Sequence, residues 1–233
     1  MIRLLVRQEA SRVAPRSACG IIAVLAADSI RSEPWTLSTL EPFNLELWNF
    51  GTLELWNPKV RIRKAELADA AAVAALAERT FRNTFEANNT PEDMAEHCRK
   101  SYSAEIQAAE LSNPDIETLV CEAHDGSFIA YAQLRAGAPP EVSGPSPIEL
   151  WRFYVDSAHH GRGVAQALMA SVIDTAENKG AQTLWLGVWE RNPKAQAFYR
   201  KAGFVDVGAH DFVVGQDLQT DRLMARPVRR EVW

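Results

Sequence analysis

The sequence predicts a mixed α/β (α+β) fold in a single domain spanning 59–233, and three observations carry that prediction. Strand-like alternation and helix-like spacing take turns along the stretch. A glycine-rich turn stands directly between a strand and a helix. A further strand follows that helix, so the central strand–helix–strand unit should be parallel and right-handed.

The elements follow in order. Val60–Lys64 reads as a strand. Asp69 is placed to cap a helix whose apolar positions Val73, Leu76, Ala77, Thr80 and Phe81 keep helical spacing. Pro91 begins a second helix to about Lys100, and a third covers Ala104–Leu111 before Asn113-Pro114 ends it. Strands Glu117–Ala123 and Ser127–Arg135 are joined by Asp125-Gly126, a hairpin signal. After a Pro-, Gly- and Ser-rich loop come strand Ile148–Val155, the glycine turn, helix Val164–Lys179 stopped by Gly180, and strand Thr183–Trp189. Asn192 and Pro193 open a last helix that stops at Gly203. Short strands near Phe204–Val207, Asp211–Val214 and Leu223–Arg226 close the domain.

Residues 1–58 read differently. They hold four prolines and an imperfect repeat, Leu45–Asn49 against Leu53–Asn57. Two copies are too few to stack into a repeat fold. The expectation is a poorly ordered extension, or residues upstream of a truer start near Val60; an interaction module is the rival. The run Ala18–Ala27 behind Arg3, Arg7, Arg12 and Arg16 has something of a signal peptide's layout, and it is short of the ~20 apolar residues of a membrane span. A net charge of −5 argues against a broadly basic, nucleic-acid-binding surface. Three widely spaced cysteines offer no metal spacing and no disulfide framework, which favours a reducing compartment.

The segment His160-Gly161-Arg162-Gly163-Val164-Ala165 carries the most chemistry. Glycines let the backbone approach a ligand, and a helix N-terminus presents unpaired N–H groups with a partial positive charge. Together they suit a pyrophosphate. A plain strand-to-helix turn is the other reading. Neither the Lys-Ser/Thr pair of a P-loop nor the third glycine of a dinucleotide fingerprint is present.

This stretch resembles the acetyl-CoA-binding motif of the GNAT superfamily, (Gln/Arg)-x-x-Gly-x-(Gly/Ala), with Gly163 and Ala165 matching and His160 where Gln or Arg is usual. A second matching segment lies downstream, from Asn192 through Ala195, Phe198 and Tyr199 to Gly203-Phe204. The resemblance implies the GNAT fold, a mixed twisted sheet of about six to seven strands flanked by helices. It also implies acetyl-CoA as co-substrate, held by the backbone of Gly161, Arg162, Gly163, Val164 and Ala165 with His160 beside them. Asn192 would meet the pantetheine arm, and Val155 would offer an amide to the thioester carbonyl, where an N–H stabilises the developing oxyanion. Tyr199 would be the general acid for a thiolate whose intrinsic pKa is ~8.5. Without the resemblance, Asn192 reads as a helix cap and Tyr199 as a core aromatic.

Alternation along Ile148–Val155 would put Glu149, Trp151, Phe153 and Val155 on one face. Glu149 stands where histone-type members of the superfamily keep a general base, and Glu190 is its rival. An amine is mostly protonated at neutral pH, so a carboxylate there has work to do. No cysteine is a convincing nucleophile, so direct attack within a ternary complex is expected rather than an acyl-enzyme.

Further segments resemble the PaiA-type spermidine/spermine N-acetyltransferases: Thr80–Phe85, Asn89–Met94, Trp185–Asn192 and Gly208–Met224. A polyamine is therefore one acceptor the resemblance implies, with Glu86, Glu149, Glu190, Asp217 and Asp221 as carboxylates around its path. His210 and Asp221 could equally brace the last hairpin. Another small amine, a peptide or protein amine, and a non-catalytic acyl-CoA sensor stay open, since fold does not set substrate. The expected partner is a small-molecule amine, without metal, nucleic acid or membrane. A homodimer is raised by the family's habit and by no residue here. Acetyl-CoA is a cytosolic metabolite, so a cytoplasmic location is expected.

Overall fold

A computed structural model describes residues 60–214 and 217–229. The expected 1–58 extension lies outside the described residues, as do Gly215 and Gln216 in the last hairpin. The strands are β1 (Arg61–Lys64), β2 (Ile116–Glu122), β3 (Phe128–Ala136), β4 (Pro147–Val155), β5 (Thr183–Trp189), β6 (Val205–Val214) and β7 (Asp217–Pro227). The helices are α1 (Ala70–Phe85), α2 (Pro91–Ser101), α3 (Ala104–Ser112), α4 (Val164–Asn178) and α5 (Pro193–Lys201). One seven-stranded sheet runs in the order β1-β2-β3-β4-β5-β7-β6. Only β4 and β5 pair in parallel, with α4 as their crossover. The sheet is thus the mixed architecture expected, at the upper end of the strand count.

Helix starts follow their local chemistry with one exception. Thr90 accepts from the Asp93 amide before Pro91, and Ser103 accepts from Ile106 before α3. Asp69, expected to cap α1, makes no such bond. Its carboxylate takes the Arg63 guanidinium at 2.7 and 3.1 Å and the Glu66 amide at 2.7 Å instead. Asp69 is itself the last residue of a short 3-10 turn with helical backbone, and its carboxylate is occupied by the Glu66 amide and the Arg63 cation. The apolar positions read from the sequence for α1 (Val73, Leu76, Ala77, Thr80 and Phe81) are all buried.

Two other expectations are corrected. The segments Phe204–Val207 and Asp211–Val214 form one strand, β6, because β7 begins earlier than expected and pairs along its length. A bulge between Asp206 and Gly208 absorbs the extra residue. In β4 the alternation breaks: Gln133 of β3 faces Arg152 and the adjacent Leu134 faces Leu150, so Trp151 is an extra residue. The bulge reverses the pleat. Phe153 and Val155 join Ile148 and Leu150 in the core under α4 and α5, whereas Tyr154 packs on the opposite side with α1 and α2. Glu149 therefore does not share a face with Phe153 and Val155, as strict alternation had predicted.

Candidate active site

The site begins where two parallel strands part. β4 and β5 are in register at Pro147–Thr183, Ile148–Leu184 and Glu149–Trp185, and their ladder ends there. Beyond it β4 stays bonded to β3 as far as Val155, and β5 stays bonded to β7 as far as Trp189. The sheet is split into a V. Because Asp156 N–H donates to the Ile129 carbonyl at 2.8 Å, alternation turns the Val155 N–H the other way, into the split. Peptide groups that face a gap inside a sheet have hydrogen-bonding capacity left for a ligand.

The glycine turn stands at the open end. Gly161 and Gly163 hold φ of 72° and 77°, a left-handed backbone that costs an L-residue with a side chain about 1–2 kcal/mol. Gly163 is the N-cap of α4 and offers no side-chain cap, so the first amides of the helix have no intrahelical partner. Nothing lies within 4 Å of where a Cβ would stand on Gly161. Arg162 is exposed, while Val164 and Ala165 anchor the turn in the core. His160 sits where the motif usually has Gln or Arg, and its Nε2 meets the Val155 carbonyl at 2.9 Å. That bond ties the turn to the end of β4. Successive amides converging on an open concavity make an anion cradle.

The second helix N-terminus faces the same opening, at the end of β5. Asn192 caps α5, its Oδ1 accepting from Ala195 N–H at 3.0 Å. Gln196 steadies the approach, donating to the Glu190 carbonyl at 2.9 Å. One turn on, Tyr199 is wholly buried. Its ring meets Phe153 of β4 edge-on at 6.3 Å and Phe204 at 5.7 Å. The hydroxyl has no hydrogen-bond partner among the described residues, and burial pushes its pKa well above the usual phenol value. Such a hydroxyl stays protonated at neutral pH. A structural tyrosine in an apolar core more often finds a partner for its O–H.

The opposite face of the sheet is more polar. Glu149 is 3% exposed and accepts from Nε of Arg135, its neighbour on β3. The Arg135 guanidinium also lies over the Trp151 ring at 4.3 Å. Glu190, the rival base, is exposed. Deeper in, Arg152 bridges Glu110 and the side-chain Oε1 of Gln133, the latter at 2.7 Å. Phe81, Phe85, Met94, Tyr102, Tyr131, Tyr154 and Trp189 enclose this side. His97 stacks on Phe81 at 4.3 Å, and burial lowers its pKa to about 4. Cys98 and Cys121 are buried, which pushes their thiols up to about 11 and about 12. Neither is a ready thiolate.

Val155, the turn 160–165 and the Asn192 cap thus follow the ends of β4 and β5, past the point where their ladder stops, while Tyr199 is buried on Phe153 and Glu149 lies where the split begins. The Arg135 partnership was not read from the sequence; Arg135 and Glu149 are fourteen residues apart, and only the register of β3 on β4 joins them. Among the described residues no group of three or more His, Cys, Asp or Glu is arranged to hold a metal, and no helix is long and apolar enough to cross a membrane.

Comparison with known proteins finds relatives over most of the described chain. Residues 74–204 match the model of the acetyltransferase (GNAT) family. An uncharacterized N-acetyltransferase of Mycobacterium tuberculosis is 36% identical over 160 residues, 69% of this chain and 98% of that protein. Another from Lactobacillus delbrueckii subsp. lactis is 32% identical over 172 residues, covering 72% and 96%. Among solved structures, the PaiA N-acetyltransferase of Thermoplasma acidophilum in complex with coenzyme A superposes with a TM-score of 0.59 at 23% identity, over 72% of this chain and 98% of that one.

Proposed function

The chain belongs to the GNAT acetyltransferase family, and from that premise we propose that it moves the acetyl group of acetyl-CoA onto a primary amine, with a polyamine such as spermidine as the leading acceptor. The single observation that carries the reading is the split between β4 and β5, with the Val155 amide turned into it and the glycine turn at its mouth.

In this reading the amides from Gly161 to Ala165 bind the coenzyme's pyrophosphate, and the α4 dipole favours its charge. The left-handed glycines fit such a cradle, since only a residue without a side chain adopts that backbone freely. Asn192 keeps Oδ1 for its cap and has its amide nitrogen left for the pantetheine arm. The Val155 N–H polarises the thioester carbonyl. Tyr199 donates a proton to the departing sulfur, which its partnerless hydroxyl suits. Attack is direct, because the buried thiols at Cys98 and Cys121 are poor nucleophiles.

The polyamine rests on the resembling segments and on the exposed carboxylate Glu190 at the end of β5; Glu149 and Asp221 are buried and add negative potential only, and the Asp217 side chain lies outside the described residues. The test is thiol release from acetyl-CoA by the full chain, with spermidine, spermine, diamines, amino acids and lysine peptides as acceptors. Turnover of spermidine or spermine is the expected result. Turnover of peptides or amino acids alone would replace the acceptor. Binding of acetyl-CoA without turnover of any amine would make the protein a sensor.

A further inference from the structure

The edge of the sheet holds a pair that the functional reading leaves unused. In the register of three neighbouring strands, Trp189 of β5 faces Asp221 of β7, and Asp221 faces His210 of β6. Asp221 shares its side of β7 with Leu223 and Ala225, which cluster with Trp185, whereas Met224 belongs to the core under α4 and α5. The pair therefore lies on the acceptor side, level with the end of β5. Asp221 is 0% exposed, and neither carboxylate oxygen has a hydrogen bond among the described residues. His210 Nε2 is likewise buried without one, 3.9 Å from Asp221 Oδ2. That is ion-pair range and too long for a hydrogen bond.

A brace for the hairpin would look different. Bracing groups gain their stability from bonds made, and a buried carboxylate without them costs the fold several kcal/mol in order of magnitude. The β6–β7 ladder is already complete through this region. Asp221 itself cannot touch an acceptor, because it is covered. What stands outward of it is the imidazole, 24% exposed, with Nε2 turned inward and Nδ1 left to meet a ligand. Glu149 from β4 and Glu141 from the β3–β4 loop add negative potential at His210, as Glu190 does at Asp221. The carboxylate raises the imidazole's pKa, and burial raises that of Asp221. Glu149, the earlier candidate base, is engaged by Arg135.

We propose that His210, positioned by the buried Asp221, is the group that takes the proton from the incoming amine. The proposal rests on the acetyltransferase reading above. The ammonium gives one proton to His210 Nδ1, directly or through one water, and the imidazolium is balanced by Asp221. The freed lone pair forms the C–N bond at the thioester carbonyl while the C–S bond breaks. The sulfur receives a proton from Tyr199, which is replaced by the surplus proton on the new amide nitrogen. His210 returns its own proton to solvent. His210 touches substrate in this scheme; Asp221 is a positioning residue.

The experiment compares the wild-type full chain with His210→Gln and Asp221→Asn, using spermidine, or the panel amine that releases most thiol, from about pH 5.5 to 9. His210→Gln should lower kcat/KM about 100-fold near neutral pH and abolish the acid limb of the profile. Asp221→Asn should move that limb to lower pH, and in ligand-free protein an imidazole C–H NMR titration should show the His210 pKa lowered to match. Melting temperature checks the fold; should Asp221→Asn fail to fold, His210→Gln, at a partly exposed position, still decides. Wild-type rates with the acid limb intact in His210→Gln would overturn this proposal alone. Thiol release by no amine in the wild type would overturn the acetyltransferase reading and the proposal with it.

Discussion

The two faces of the sheet are built on different terms. Under α4 and α5 the side chains are apolar, from Leu134, Leu150 and Phe153 to Leu186 and Phe204. The groups proposed to meet the coenzyme there are backbone amides of the turn held by Gly161 and Gly163. Under α1 to α3 the side chains do the polar work. A buried Arg152–Glu110 pair, the Arg135–Glu149 pair and the His210–Asp221 pair lie among tyrosines and tryptophans. A face that binds a constant ligand through amides tolerates any apolar core behind it. A face that selects a variable acceptor must carry charge inward, and it holds the costly groups.

The largest effect that could break this contrast is on stability. Arg152→Leu takes the cation from Glu110, leaving it only the Gln133 side-chain N–H, and leaves Gln133 Oε1 without its Arg152 donor, so a loss of about 3–5 kcal/mol is expected in urea unfolding. Acetyl-CoA affinity should survive in whatever fraction stays folded. A comparable loss of coenzyme affinity would mean that the faces are not separable. Tyr199→Phe should do the reverse. Its hydroxyl has no partner among the described residues, so stability should change by less than about 1 kcal/mol, while kcat falls about 100-fold. An unchanged kcat in stopped thiol-release assays would remove Tyr199 from the chemistry.

Acid should reach one face first. The folded-state pKa of His97 is depressed to about 4 from an ordinary 6.5. Its contribution is present above 6.5 and is lost as pH falls from there towards about 4, because the unfolded chain binds the proton first. The drop should amount to about 3 kcal/mol across that window. In His97→Phe the stability–pH curve should flatten there; an unaltered curve would locate acid sensitivity elsewhere. The smallest effects belong to the backbone-binding side. Gly161→Ala puts a Cβ on a residue at φ of 72°, for about 1–2 kcal/mol of stability. Loss of the Asn192 cap in Asn192→Ala should cost about 1 kcal/mol. Both are read by thermal melts, and both should raise the KM for acetyl-CoA.

Legibility in the sequence follows the same division. Helices and strands of the apolar face are set by local periodicity and by Gly, Pro and Asn at their ends, so α4, β5 and α5 were readable nearly to the residue. The glycine turn was readable because its chemistry is contained in six consecutive positions. The acceptor face depends on register. Trp151 as an extra residue in β4 reverses which side Glu149 shares with Phe153, and no local signal announces a bulge. Arg135 reaches Glu149, and Asp221 reaches His210, only because particular strands pair in particular alignment. Asp69 shows the limit even for local rules, since a guanidinium from β1 took the carboxylate that was expected to cap α1.

The central claim is that the coenzyme binds at the open end of the β4–β5 split through backbone amides. Amide hydrogen exchange of the full chain, with and without acetyl-CoA, tests it most directly. Slowed exchange at Val155 and from Arg162 to Gln166, with little change along β6 and β7 from 205 to 225, is the result predicted. Protection confined to the β6–β7 edge, or none at the glycine turn under saturating acetyl-CoA, would contradict it.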